Sequence, residues 1–263
     1  MLDHAGIDKQ GGDNMRILIL NPNTTEAVTS LMATAGQAVA AAGTELVPMT
    51  APRGFPYISS RAEAQIGGAV ALEMLADAHR SVDGAILAAF GDPGLLGARE
   101  LFDIPIVGVS EAAMLTACML GRRFLIVTFA RALGSWYRDC VEMHGLDSRC
   151  AGISALDKAF SSIEDVQNEN LDPLVELANR DVEEMDADVM IFAGAPLSGL
   201  SNKVRDRIPV PIVDPIAAAV KQAEALVALR PRKAVAGSSR RAAAKPSIGL
   251  PPSLATRIER SDP

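Results

Sequence analysis

Two stretches of the chain carry apolar runs without polar interruption, and they share one layout. The first is Asp83-Gly84-Ala85-Ile86-Leu87-Ala88-Ala89-Phe90-Gly91-Asp92-Pro93-Gly94-Leu95. The second is Asp188-Val189-Met190-Ile191-Phe192-Ala193-Gly194-Ala195-Pro196-Leu197-Ser198-Gly199-Leu200. Each opens on an acidic residue, continues through an apolar run of strand length, and closes on small residues, a proline and a Gly-Leu pair. Such a run predicts a central parallel strand buried on both faces. The small residues after it let backbone or ligand approach closely. Aligned on Asp83 and Asp188, Ala89 falls opposite Gly194. Both then sit at the carboxyl end of a strand, where open α/β sheets bind ligands.

The flanking segments match as well. Each copy is followed by a helical segment and then by Ile104-Pro105-Ile106-Val107 or Ile208-Pro209-Val210-Pro211-Ile212-Val213, and the halves open on Arg16–Leu20 and Arg123–Val127. The pattern predicts an α/β chain of two pseudosymmetric lobes, each a mainly parallel sheet flanked by helices, with one cleft between them. Residues 1–14 read as a disordered leader, 15–122 as the first lobe and 123–229 as the second. The closing helix 216–229 is placed to pack back on the first lobe. Residues 230–263 turn to Pro, Ser, Ala and Arg and read as an extended, mobile or surface-wrapped tail. Helical spacing also covers about 26–42, 61–80, 111–120, 133–144 and a segment within 164–188. Asn23 or Thr24 is the expected cap of the first of these and Ser110 of the third. The amides at the first helix equally suit a carboxylate or ureide oxygen.

Composition narrows the functional classes. Of 263 residues 49% are hydrophobic and 22% charged, which is ordinary for a globular protein, and aromatics are only 4%, so Ala, Val, Leu and Ile must build the core. A net charge of −7 argues against nucleic acid as a partner. No apolar stretch approaches the roughly 18 residues of a membrane span, and no secretory pattern opens the chain. Cys118, Cys140 and Cys150 form no CxxC spacing, which together suggests a cytoplasmic protein with reduced thiols. His4, His79 and His144 read as too few and too scattered for a metal centre. Neither phosphate-binding glycine loop follows a strand, so no nucleotide cofactor is expected.

Several strings resemble the aspartate/glutamate/hydantoin racemase superfamily, and among its branches the hydantoin and allantoin racemases. They are Leu20-Asn21-Pro22-Asn23-Thr24-Thr25, Phe90-Gly91-Asp92-Pro93-Gly94-Leu95, Gly108-Val109-Ser110-Glu111-Ala112-Ala113 and Phe124-Leu125-Ile126-Val127-Thr128. The resemblance spans about 15–229. It implies a two-lobe fold, a cofactor-independent isomerase, a small carboxylate or cyclic ureide as substrate, and a homo-oligomer. It further implies substrate contacts from Asn23, Thr24, Phe90, Gly91, Thr128 and Ala195. In that family two cysteines, one per lobe, remove and return a proton on opposite faces of the substrate carbon, because inversion requires an acid and a base on opposite sides. The corresponding positions in this chain are Ala89 and Gly194, and neither side chain carries a proton.

Replacement chemistry has weak candidates. Asp92 and Glu111 are carboxylates near the strand end, although Asp92 also suits a cap of the next helix and Glu111 a supporting role. Tyr57, Tyr137 and His144 are explained equally well by packing or surface positions. Three readings follow: a cofactor-independent isomerase-like enzyme without paired thiols; a decarboxylase or hydrolase on the same scaffold, or a ligand-binding relative without turnover; and a structural subunit.

Overall fold

The computed structural model describes residues 14–156, 162, 163 and 165–261. The leader expected over 1–14 lies outside the described residues except for Asn14. The first lobe runs β1 (Met15–Asn21), α1 (Glu26–Gln37), β2 (Thr44–Thr50), α2 (Arg61–Ala78), β3 (Gly84–Leu87), α3 (Leu95–Leu101), β4 (Ile106–Gly108) and α4 (Val109–Leu120). The second runs β5 (Phe124–Thr128), α5 (Gly134–Met143), β6 (Cys150–Ala155), α6 (Val166–Glu184), β7 (Val189–Ala193), α7 (Leu200–Val204), β8 (Ile212–Val213) and α8 (Pro215–Leu229). The strands form two four-stranded sheets ordered β2-β1-β3-β4 and β6-β5-β7-β8, and every pairing is parallel. Adding four to each strand number of the first sheet yields the second. The α/β reading in two pseudosymmetric lobes therefore holds.

The repeated residues have repeated tasks. Asp83 and Asp188 precede the central strands, and their carboxylates accept hydrogen bonds from the backbone that opens each lobe. Asp83 Oδ2 accepts from Arg16 N at 2.7 Å, and Asp188 Oδ2 from Arg122 N and Arg123 N, both at 2.8 Å. Gly94 and Gly199 take left-handed φ values of 86° and 78° immediately before α3 and α7, a conformation that costs glycine little. Where proline precedes the outer strands, pairing corrects the alignment by two residues. Ala85 pairs with Ile106 and Met190 with Ile212, so Pro105 corresponds to Pro211 rather than Pro209.

The two lobes share a core. On β1, Ile17 and Ile19 point into a cluster that also holds Leu125, Ile126 and Phe192 of the second sheet, whereas Leu18 and Leu20 face α2 and α3. This is the period-2 alternation of a strand buried on both sides. Helix α8 returns to the first lobe. Its Glu224 Oε1 accepts from Ala41 N at 2.7 Å and Thr44 Oγ1 at 2.9 Å, and Gln222 Nε2 donates to Ala112 O at 2.9 Å.

Helix ends differ from expectation in three places. Helix α1 stops at Gln37, short of Ala42, and neither Asn23 nor Thr24 caps it; its N-cap is Thr25, without a side-chain capping bond. Helix α4 starts one residue before Ser110, with Gly108 as N-cap. The tail carries a further helix, α9 (Pro252–Glu259), packed beside α2, whose buried Arg257 stacks over Phe102 at 5.7 Å and pairs with Asp103. Composition concealed that docking, since it rests on one arginine meeting a distant ring and carboxylate. Among the described residues no helix is long and apolar enough to cross a membrane.

Candidate functional site

The carboxyl ends of β3 and β7 open onto one pocket. It holds about 370 Å³ of empty space, counting its mouth, and is lined by Ala89 and Phe90 from one lobe and Gly194, Ala195 and Pro196 from the other. Asn23 and Val28 contribute from the β1–α1 turn, and Pro56, Tyr57 and Ile58 from the loop that follows β2. Phe129, Leu133, Trp136, Tyr137 and Ile163 complete the wall. Five of the chain's ten aromatic residues are gathered here, which makes the wall far more aromatic than the chain. Phe90 and Tyr137 pack at 4.7 Å and Trp136 and Tyr137 at 5.7 Å between ring centroids, both pairs tilted. Among the described residues, no charged side chain and no cysteine lines the pocket.

The Asn-Pro-Asn-Thr-Thr string builds this wall by clasping the neighbouring loop. Asn23 Oδ1 accepts from Ile58 N at 2.7 Å, Thr24 N donates to Phe55 O at 2.9 Å, and Thr25 Oγ1 donates to Pro56 O at 2.8 Å. Asn21 Oδ1 braces Asn23 in turn, accepting from its N at 3.0 Å and its Nδ2 at 2.8 Å. The polar residues that suggested a helix cap are thus spent on loop geometry, because the loop's buried N–H and C=O groups require partners.

Of the six residues implied as substrate contacts, Asn23, Phe90 and Ala195 line the pocket, and Thr24, Gly91 and Thr128 do not. Gly91 turns its N–H to the Ser110 hydroxyl, and a side chain there would strike the Trp136 ring. Thr128 is fully buried and donates to Ala193 O at 2.9 Å. Its side chain interacts with the Tyr137 hydroxyl. Burial pushes the Tyr137 pKa up, so the phenol stays neutral. A Cβ built on Gly194 would lie 3.5 Å from the Tyr137 hydroxyl and 2.6 Å from a Phe129 ring carbon. Tyr137 and Phe129 therefore occupy the space around that position, a proximity that no spacing in the chain discloses.

Asp92 and Glu111 belong to a second cluster behind the strand-end loop. Asp92 is buried and caps a helix, although a more distant one than expected. Oδ1 accepts from Ser110 N and Oδ2 from Glu111 N, both at 2.9 Å, at the start of α4. A Cβ on Gly108 would sit 2.4 Å from the Asp92 carboxyl carbon, so the N-cap itself must be glycine. In the second lobe the equivalent position is Asp214, which caps α8 directly through Ile216 N at 3.1 Å and Ala217 N at 3.2 Å. Each lobe satisfies the same orphan amides, once from the neighbouring loop and once from the cap.

His144 Nε2 lies 3.1 Å from Asp92 Oδ2 and its Nδ1 3.5 Å from Glu111 Oε1, while Arg99 grips Glu111 with both guanidinium nitrogens. Burial favours a neutral imidazole, but hydrogen bonds with Asp92, Cys140 and Glu111 outweigh it and push His144 up to about 11. For Glu111 burial likewise opposes ionisation, and His144 and Arg99 overcome it, holding the carboxyl at about 2. Burial pushes the Cys140 thiol up. The histidines read as too scattered for a metal centre, yet His144 is joined by Cys140 of its own helix and by Asp92 and Glu111 from two other segments, which only the fold brings together.

Duplicated parallel α/β lobes around a pocket at facing strand ends define the class: a two-lobe racemase-type fold. The Asp/Glu/hydantoin racemase family model matches residues 17–223, and the chain belongs to that family. A hydantoin racemase from Paenarthrobacter aurescens is 32% identical over 217 residues, covering 82% of this chain and 92% of that protein. Among solved structures, allantoin racemase from Klebsiella pneumoniae superposes with a TM-score of 0.86 at 33% identity, covering 91% of this chain and 98% of that one. Allantoin racemase from Pseudomonas fluorescens gives 0.84 at 30% identity, covering 89% of this chain and all of that one.

Proposed function

We propose that the chain is a cofactor-independent, isomerase-like member of this family acting on a neutral cyclic ureide with an apolar substituent, without paired thiols. The observation that carries this reading is the pocket wall, which gathers half the chain's aromatic residues and, among the described residues, no charged group. A free carboxylate would enter that wall without a cation to offset its desolvation. A ureide instead offers neutral N–H and C=O groups. The second Nδ2 hydrogen of Asn23 suits its carbonyl. The Tyr137 oxygen suits its N–H. Ala89 presents only a methyl group and Gly194 only hydrogen, so a proton exchanged at either face must travel by water or through Tyr137.

That no described residue of the wall carries an ionised group favours a second reading, ligand binding without turnover. Calorimetric titration with 5-aryl- and 5-alkylhydantoins and allantoin, paired with α-hydrogen exchange in heavy water followed by NMR, separates the two. The enzyme reading expects binding and an exchange that survives thiol alkylation. Binding without exchange supports the second reading, and exchange abolished by alkylation overturns the thiol-free mechanism. No binding by any ureide overturns both. The assembly belongs to the same proposal: Leu115, Met119 and Leu120 lie exposed along α4, which supports the homo-oligomer expected of the family and is checked by light scattering.

A further inference from the structure

Asp92, Cys140 and His144 bring a carboxylate oxygen, a sulfur and an imidazole nitrogen within 4.8 Å of one another. We propose that they form a binding site for a divalent transition ion of the Zn²⁺ type, held by Cys140 Sγ, His144 Nε2 and Asp92 Oδ2. The donors are of the right kind, because a mixed sulfur, nitrogen and oxygen set selects zinc-like ions over magnesium or calcium. They are also close to the right spacing. Ligands at zinc bond lengths around a tetrahedral ion lie about 3.3–3.8 Å apart, so small shifts that open the 3.1 Å His144–Asp92 pair and draw Cys140 to it would complete the set.

The local structure supports the same site. Cys140 and His144 are four residues apart at the end of α5, which stacks them on one face. The other imidazole nitrogen faces Glu111 at 3.5 Å, and Arg99 fixes Glu111. A carboxylate behind a ligating histidine orients the ring and raises its basicity. Asp92 and Cys140 also line a solvent-open recess beside Arg61, Gln65 and Met143, which provides an entry path and room for water as a fourth ligand.

With the ion in place, its two charges and Arg99 would offset a Cys140 thiolate, Asp92 and Glu111, so the loaded site would carry no uncompensated charge.

The test uses the full chain, freed of metal by chelation and carrying no histidine tag, titrated with Co²⁺ and Zn²⁺. The expected result is one Co²⁺ per chain with a near-ultraviolet thiolate-to-cobalt band that Zn²⁺ abolishes. Cys140→Ser should remove the band, and Cys118→Ser with Cys150→Ser should keep it. Glu111→Gln should weaken binding by roughly 10–100-fold. Failure of the folded wild-type chain to take up Co²⁺ or Zn²⁺ would overturn the site and leave His144 as a protonated strut between two carboxylates. A band that persists in a folded Cys140→Ser protein would place the ion elsewhere and overturn it equally.

Discussion

Replacing Gly194 by alanine tests whether the second strand end has been rebuilt around a missing side chain. Gly194 has φ 115° and ψ 130°, a region open in practice only to glycine. An added Cβ would lie 2.6 Å from Phe129 Cε1 and 3.2 Å from Cδ1, well inside contact distance. Backbone strain of this kind costs about 1–3 kcal/mol, and overpacking a buried site about the same again. Gly194→Ala should therefore lose roughly 2–6 kcal/mol, a large share of the 5–15 kcal/mol typical of a domain. Urea denaturation followed by circular dichroism measures this directly. A cycle with Phe129→Leu separates the two contributions: relieving the ring contact should recover the packing share, and the φ strain should remain. A Gly194→Ala protein within about 0.5 kcal/mol of the parent would refute the reasoning. The same geometry bears on chemistry. Ala89 has no left-handed φ, so Ala89→Cys should fold normally, while the Ala89→Cys, Gly194→Cys pair should destabilise the lobe and gain no hydantoin racemisation in a chiral assay.

Other outcomes follow from single contacts. Asn23→Ala and Tyr137→Phe should each weaken ureide binding about 3–10-fold in calorimetry, the worth of one net hydrogen bond; unchanged affinity in both would remove them from the site. Hydrogen bonds from Ala41, Lys221 and Thr44 outweigh the effect of burial and hold the Glu224 carboxyl below the usual range. The stability this supplies is present above the ordinary glutamate pKa and is lost as pH falls through the depressed value, so Glu224→Gln should flatten the acid limb of a melting-temperature profile. Gly108→Ala would drive a methyl group into Asp92 and should cost about 1–3 kcal/mol, read by denaturant titration. Arg257→Ala should free α9 for limited proteolysis ahead of the rest of the chain, because it removes both the stacking on Phe102 and the pairing with Asp103.

Periodicity and small-residue placement alone settled the architecture. Uninterrupted apolar runs of strand length fit strands covered on both faces, and repetition of one such run with its acidic lead and Gly-Leu close points to two like lobes. Asp83 and Asp188 perform the same task because each leads the like central strand of its lobe, although their backbone partners lie 65–67 residues away. What the tertiary structure decided concerns where polar atoms find partners. Asn23 looked like a helix cap but accepts from Ile58 N beside the pocket, because the loop's buried amide needs an acceptor. Asp92 looked like a cap for the next helix and serves α4 instead. Cys140 and His144 carried no signal beyond helical spacing, and only the packing of α5 against the strand-end loop sets them beside Asp92. Local pattern specifies which segments are buried; the partner of a buried polar group lies 19 or 52 residues away, where the three-dimensional path of the chain, and no spacing along it, determines the match.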